Sequence, residues 1–460
     1  MKRQIVVVAA VCFLVICGAL WRLRPWPAGR GAGISPPGTE GEQAAPEIPV
    51  IAGDDWQFSR IDECAYAALY YGSSIRLDSE SRAQVLFQRD PNRGSGLSYA
   101  RFQGDAWKIW DIERECSVLR MHFALDGTDT PHALYSAFNC KDGGLKYARA
   151  GGETWGRSIV YNKPTPSEDE MMRRFGCSSY SLNLMVSDSN DLAVDSSGGV
   201  HLVYVDPESE RMVYGHRPKG TDHWEWESLE KVGNHRLTVS RINPVIRVSP
   251  AGQVWIAYKR YTQRKKASGV NTVQIELRLA IRTGRQWKYQ KVVDRLGFID
   301  GQSHIMFGEA NQCLIAYTRC APVQPLDGSV KWLLVHLSDG KWVQRYEGEP
   351  REQLLTAACV GDRFNIVLTR VGLDKPSDGT MLQDSLVRLS AGADWKWTTE
   401  NLLELKNRRA LDAAISRHGE VHVLFASTSA TSSTLERGIL RTARLNRQQG
   451  APADADKSRR

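Results

Sequence analysis

One pattern recurs along this chain, and it restricts the fold more than any other feature. Residues 191–229 read DLAVDSSGGVHLVYVDPESERMVYGHRPKGTDHWEWESL. Short runs of β-branched and aromatic residues, bounded by Gly, Ser and Asp, are the mark of strands joined by turns. The period predicts a four-stranded meander with strands over 191–195, 200–205, 211–217 and 224–229. Ser196-Ser197-Gly198-Gly199 forms its first tight turn. The second strand closes on Tyr204, and equivalent anchors stand at Phe87, Tyr135, Tyr258, Tyr317, Leu368 and Phe425. Three residues earlier come Gln84, His132, His201, Trp255, Leu314, Asn365 and His422. A strand-opening tryptophan follows at Trp107, Trp155, Trp224, Trp287, Trp342 and Trp395. These intervals fit blade-type repeats of about 40–50 residues plus insertions.

The seventh copy has no tryptophan after Phe425, and the chain there becomes polar. A strand of the missing kind stands at the other end, Trp56-Gln57-Phe58-Ser59-Arg60-Ile61. A ring of blades must close, because an open blade exposes unpaired strand edges. The expected fold is therefore all-β, a seven-bladed β-propeller over 55–445 closed by the N-terminal strand. A pair of open sandwiches is the alternative, and it leaves the fit of Trp56 a coincidence. Helical periodicity is confined to 168–175 and 402–409.

The N-terminus differs in kind. A basic start, Met1-Lys2-Arg3, precedes an unbroken apolar run over 5–20. Residues 1–23 are expected to be a signal peptide or a single transmembrane anchor. Arg22 and Arg24 directly after the run, and a poor cleavage signal at Cys17-Gly18-Ala19, favour the anchor. Residues 24–54, rich in Pro, Gly, Ala and Glu, are expected to be a disordered tether, and 446–460 a disordered tail. The propeller is then extracytoplasmic, periplasmic or at the cell surface, and a monomer is expected. Of nine cysteines, seven lie beyond the apolar run, so some can pair in an oxidising compartment while at least one cannot. No Cys/His cluster has metal-ligand spacing, so no metal and no cofactor is expected. The net charge of +8 favours anionic partners: acidic polysaccharide, lipid headgroups or a cell-wall polymer. Nucleic acid is disfavoured, since no recognition motif is present.

In a meander blade, the first-to-second and third-to-fourth connections share one face. Here they are short. The second-to-third loops and the crossovers share the other face and are long: 259–272, 319–329, 370–383, 426–437 and the crossover 162–190. Long loops on a rigid frame are where function sits, so the binding face is expected there. Two residues after the anchor stand Arg89, Arg260, Arg319 and Arg370. Four guanidiniums at equivalent strand ends can form an arc that holds carboxylate, sulfate or phosphate bidentately. The bland reading is solvated strand ends, or pairing with acids of neighbouring blades. Near the axis on this face the innermost strands begin with Tyr71, Arg120, Asn243, His304 and Arg409. His304 is a candidate general base, with Tyr71 beside it as a second catalytic candidate and Arg120 as a further ligand residue. The plainer reading of His304 is a histidine satisfied by a neighbouring blade. His132, His201 and His422 share one repeat position with Gln, Trp, Leu and Asn, and are read as structural. The acidic run Glu168-Asp169-Glu170 in the long crossover can reach the mouth, or simply be solvated.

The repeat D-x-x-G-x-V-H-L-V-Y … Y-x-x-R … W, as in 195–224 and 126–155, resembles the bacterial-neuraminidase-repeat and sialidase-like propellers. The resemblance covers about 56–445. It implies the propeller architecture and a group that spans sialidases, polyanionic-polysaccharide lyases and lectin-like proteins. Departures stand beside it. The Asp-box is never complete: Gly151-Gly152-Glu153-Thr154-Trp155 keeps only its end, and Ser338-Asp339-Gly340-Lys341-Trp342 is one residue short. The Phe-Arg-Ile-Pro signature is absent, with partial matches at Phe58-Ser59-Arg60-Ile61 and Arg241-Ile242-Asn243-Pro244. A sialidase also requires a Tyr–Glu nucleophile pair, which the sequence does not place.

Three functions follow in order of preference. The first is an exported or membrane-anchored propeller binding an anionic glycan or a partner protein through its long-loop face. The second is a sialidase-like glycoside hydrolase or a uronate lyase acting on acidic sugars. In a lyase, Arg319 or Arg260 neutralises the carboxylate and His304 or Tyr71 takes the C5 proton. The third is a non-catalytic assembly scaffold.

Overall fold

The computed structural model describes residues 56–440 apart from 65–72, 90–95, 139, 163–188, 207, 234–241, 266–270, 297–302, 309–311, 320–330, 350–351, 372–382, 406–407 and 429–432. The expected leader, tether and tail lie outside the described residues, as do Tyr71, the acidic run and the 168–175 helix.

The protein is an all-β propeller of antiparallel four-strand meanders. The innermost strands are Ser74–Leu77, Ser117–Leu125, Asn190–Val194, Val245–Val248, His304–Phe307, Glu352–Val360 and Arg408–Ile415. Each lies beside the next, and the last returns to the first. The expectation of seven separate blades is corrected: the strands form six hydrogen-bonded sheets, five of four strands and one of eight. The eight-stranded sheet unites the last and first meanders, because the N-terminal strand Trp56–Cys64 belongs to one and touches the other. It runs antiparallel to Ser433–Leu440 along its length, then bridges to the first meander through Cys64 and Arg89.

Burial explains the repeat. The anchors Phe87, Tyr135, Tyr204, Tyr258, Tyr317, Leu368 and Phe425 are all buried, as are the residues three positions earlier. Second strands are covered on both faces by neighbouring meanders, so Pro131–Phe138 is buried almost throughout. Outer strands such as Glu225–Lys231 are mostly exposed and read as charged. Each fully buried aromatic or aliphatic side chain contributes about 1.5–3 kcal/mol.

Tryptophan joins meander to meander. Trp155, Trp224 and Trp287 stand edge-on to Tyr99, Tyr147 and Tyr214 of the preceding meander, with ring centroids 5.2, 5.4 and 5.1 Å apart. In the sixth meander Trp397, not Trp395, does this: it packs edge-on against Tyr346, and its indole N–H donates to the Arg345 carbonyl at 3.2 Å. Trp395 sits in the turn at φ 58° and stacks on Phe364. Trp56 supplies the last copy, donating to Leu402 O of the sixth meander at 2.9 Å.

The D-x-x-G element is a turn device. The Asp126 carboxylate accepts the amides of Thr128 and Thr130, and Asp195 accepts that of Gly199. The residue three positions after each aspartate turns left-handed, Asp129 at φ 61° and Gly198 at φ 88°. Glycine is favoured there because it has no Cβ to clash.

Two expectations about loops and helices give way. Residues 259–265 and 271–272 are not loop but strand, within Val254–Lys265 and Asn271–Thr283. Likewise Val421–Thr428 and Ser433–Leu440 take up most of 426–437. The 402–409 helix is absent; Trp397–Glu404 and Arg408–Ile415 are strands. A register shift opposite, between Leu386 and Val387, lets the consecutive Leu402 and Leu403 both pack on the core, which imitates a helical pattern.

Among the described residues one disulfide joins Cys116 and Cys140. Cys313 and Cys359 are free thiols, and burial pushes both up to about 12.

Candidate functional site

An innermost strand alternates side chains between its neighbours and the axis. One level of the ring is set by pairing with the residue just before each buried anchor. His122 pairs with Leu134, Asp191 with Val203, His304 with Ala316 and Asp412 with Leu424. Arg76 and Arg247 stand two residues further along their strands, on the same face, opposite Gln84 and Trp255. Charge therefore gathers where short apolar strands such as Ser-Ile-Arg-Leu and Val-Ile-Arg-Val meet the axis.

Two clamps organise it. Asp191 reaches to the next meander and accepts the Ile246 amide and Arg247 Nη1, each at 2.9 Å. His122 Nδ1 approaches its other oxygen at 2.9 Å. Asp412 does the same across the closure of the ring. It accepts Ser74 Oγ at 3.1 Å, the Ile75 amide at 3.0 Å and Arg76 Nη1 at 3.3 Å. Each arginine also gives Nη1 to the preceding carbonyl, Ile246 or Ile75. About a third of each guanidinium side chain stays exposed, 34% for Arg247 and 36% for Arg76. Held by one nitrogen, both keep donors for a ligand.

His304 lies within the field of both arginines. Burial first, then Arg247 and Arg76, push it down to about 4, against the pull of Asp191. Its side chain makes no hydrogen bond or ion pair among the described residues. At neutral pH it is an uncharged imidazole with an available lone pair.

Arg260 and Arg370 are engaged elsewhere. The side chains of Arg89 and Arg319 lie outside the description, though both residues end second strands. Arg260 pairs with Glu230 of the preceding meander at 3.4 Å, and Arg370 with the buried Glu352 at 3.0 Å. Glu230 also meets Arg278 at 3.2 Å, matching the buried Glu113–Lys146 pair at 2.9 Å between the first two meanders. These acids join neighbours. Arg120 sits at a bulge in Ser117–Leu125 with φ 42°. Of the expected residues whose side chains are described, only His304 stands in the channel cluster. Arg76, His122, Asp191, Arg247 and Asp412 escaped the sequence reading. Their one visible signal is a charge within a short apolar strand at the start of a repeat.

No protein-family model matches the chain, and no curated protein matches it. Similar solved structures include the polysaccharide lyase Uly1, at 13% identity and a TM-score of 0.48, over 82% of this chain and 92% of that one. An Aleuria aurantia lectin in complex with α-methyl-L-fucoside is similar at 11% identity and 0.41, over 74% and 96%. Trypanosoma rangeli sialidase in complex with sialic acid is similar at 10% identity and 0.41, over 85% and 58%. These are likenesses in the course of the chain. The functional reading rests on this chain's own residues.

Proposed function

We propose that this protein is an exported propeller that binds an acidic carbohydrate at its central channel. The observation that carries this is the pair of arginines, Arg76 and Arg247, each fixed by an aspartate yet a third exposed. A fixed guanidinium loses little freedom on meeting a carboxylate or sulfate. The Cys116–Cys140 disulfide supports export, because such bonds persist in oxidising compartments. The apolar run over 5–20 would then serve as signal or anchor.

The test is a titration with uronate-containing and sulfated oligosaccharides. Wild type should bind with an affinity that falls as salt rises. Arg76→Lys and Arg247→Lys should each weaken binding about 10-fold or more, since lysine keeps the charge but loses the fork. Equal affinities, or no binding to any acidic glycan, would sink the proposal.

A second reading, uronate elimination, is favoured by the neutral His304 beside two cations. The imidazole would take the C5 proton as the C4–O bond breaks, and the resulting imidazolium or a water would protonate the leaving oxygen, leaving an unsaturated uronate on one fragment and a new reducing-end hydroxyl on the other. Ultraviolet absorbance of the unsaturated product, lost in His304→Gln while binding persists, distinguishes it from plain binding.

A further inference from the structure

The third meander breaks the repeat at two places that face each other. In the first two, the turn aspartate meets an arginine of the third strand: Asp78 meets Arg101 at 3.4 Å, and Asp126 meets Arg149 at 3.9 Å. In the third meander that cross-strand place, opposite His201, is held by His216. The second break is the residue just before the second strand. Elsewhere it bears a side chain, Arg82, Thr130, Gln253, Gln312 or Glu420; here it is Gly199. A Cβ on Gly199 would lie 2.6 Å from Asp195 Oδ2 and 3.3 Å from His216 Nε2. The missing side chain thus leaves a notch between these two atoms.

His201 borders the same notch. Its Nε2 is 2.9 Å from Asp195 Oδ2, and its ring stacks on His216 with centroids 4.7 Å apart. One donor atom from each of Asp195, His201 and His216 lies within 4.8 Å of the others. The rear atoms are held in place. His201 Nδ1 meets Tyr214 Oη at 2.7 Å, and His216 Nδ1 meets Glu225 Oε2 at 3.5 Å. Asp195 Oδ1 is engaged by Ser197 Oγ at 2.6 Å and by the Gly199 amide at 2.8 Å. A metal-binding histidine typically has its second nitrogen bonded in this way. The nearby cation Arg282 is tied to Glu227.

We propose that Asp195, His201 and His216 hold a divalent transition-metal ion of the zinc class. Two imidazoles and one carboxylate suit zinc and exclude a calcium-type oxygen site. Three protein ligands leave one tetrahedral position for water or a ligand group. Replacing arginine by histidine removes the fixed positive charge that would repel the ion. On binding, the His201 proton moves to Nδ1, where the Tyr214 hydroxyl accepts it. The site lies on the short-turn face, away from the channel residues, so its success or failure is independent of carbohydrate binding.

The full chain, stripped with a chelator, is titrated with Zn2+ by calorimetry and with Co2+ by visible absorption. Wild type should take up one more equivalent than His216→Arg, with Co2+ bands of a tetrahedral N/O site. His216→Arg should fold, because arginine holds this place in two other meanders. His201→Gln, which copies Gln84, is the second variant, and both should lose affinity by more than about 100-fold. Tyr214→Phe should lose about 10–100-fold. Metal uptake equal in wild type and His216→Arg, or no uptake by either, overturns the site. A thiolate charge-transfer band on Co2+ would place the ion on a cysteine and overturn it too.

Discussion

The two aspartate clamps share a geometry, and their carboxyls are shifted in opposite directions. Asp191 and Asp412 each cross to the next meander, take the amide of an isoleucine and bind the arginine that follows it. Burial raises both carboxyls. In Asp191 this is outweighed by Arg247 and His122, and the carboxyl falls well below its usual range. In Asp412 burial wins over Arg76 and the local donors, and the carboxyl is raised. The arginine stands at 2.9 Å in one clamp and 3.3 Å in the other, and a serine replaces the histidine. A buried carboxylate is ionised by the number and closeness of its cationic partners, not by the motif that frames it.

The largest effect should come from removing the arginines. Arg247→Ala leaves a buried carboxylate, 7% exposed, without its main partner, and should cost about 3–5 kcal/mol. Arg76→Ala should cost less, about 1–2 kcal/mol, because Asp412 is 19% exposed and takes a proton more readily. Denaturant unfolding at pH 7 measures both, and equal losses would break the comparison.

Asparagine substitutions give the next effect, with opposite signs in pH. Asp191 has a lowered folded pKa, so its contribution is full above the unfolded value and fades as pH falls. Asp191→Asn should therefore cost most near neutrality and progressively less in acid. Asp412 has a raised folded pKa, so its carboxylate form weakens the fold as pH rises through that value. Asp412→Asn should stay within about 1 kcal/mol of wild type at pH 7 and lose ground on acidification. Unfolding curves across the acid range test this, and parallel profiles would contradict it.

The smallest effect comes from His122→Gln, which strips the first clamp of the partner that the second lacks. It should cost about 1 kcal/mol and move the Asp191 carboxyl upward, visible in carboxyl carbon NMR. An unmoved resonance would show that Arg247 alone holds the charge. A background loss accompanies all of these in acid. Burial pushes His132 down to about 4, so the unfolded chain binds its proton first and stability falls between about pH 6.5 and 4.

Much of the frame was readable in the residues. Tyr204 and its equivalents are buried because a second strand is covered on both faces, and that leaves a continuous apolar run. Trp56 was readable as the closing strand because the last repeat lacked one. Trp395 misled because two tryptophans lie two residues apart, and only packing against Tyr346 selects Trp397. The 402–409 helix misled because a bulge turns two adjacent leucines the same way. The channel was barely readable. Of the described charge cluster only His304 is legible in the sequence, because Arg76, Asp191, Arg247 and Asp412 are single charges in short strands.

What the sequence by itself determined is everything carried by local period: strand order, the left-handed turns after Asp126 and Asp195, the buried anchors and the strand that closes the ring. Those depend on neighbours within one meander or the next, and a period of two in burial is written directly into residue type. Only the tertiary structure decided which charges meet. Ring closure sets Arg76 beside Asp412, and a cross-strand register sets His216 over His201. The first contact joins positions far apart in the chain, and the second depends on a hairpin register that residue type alone does not set, so no local pattern records either. Their ionisation depends in turn on burial and on distances that exist only once the ring is closed.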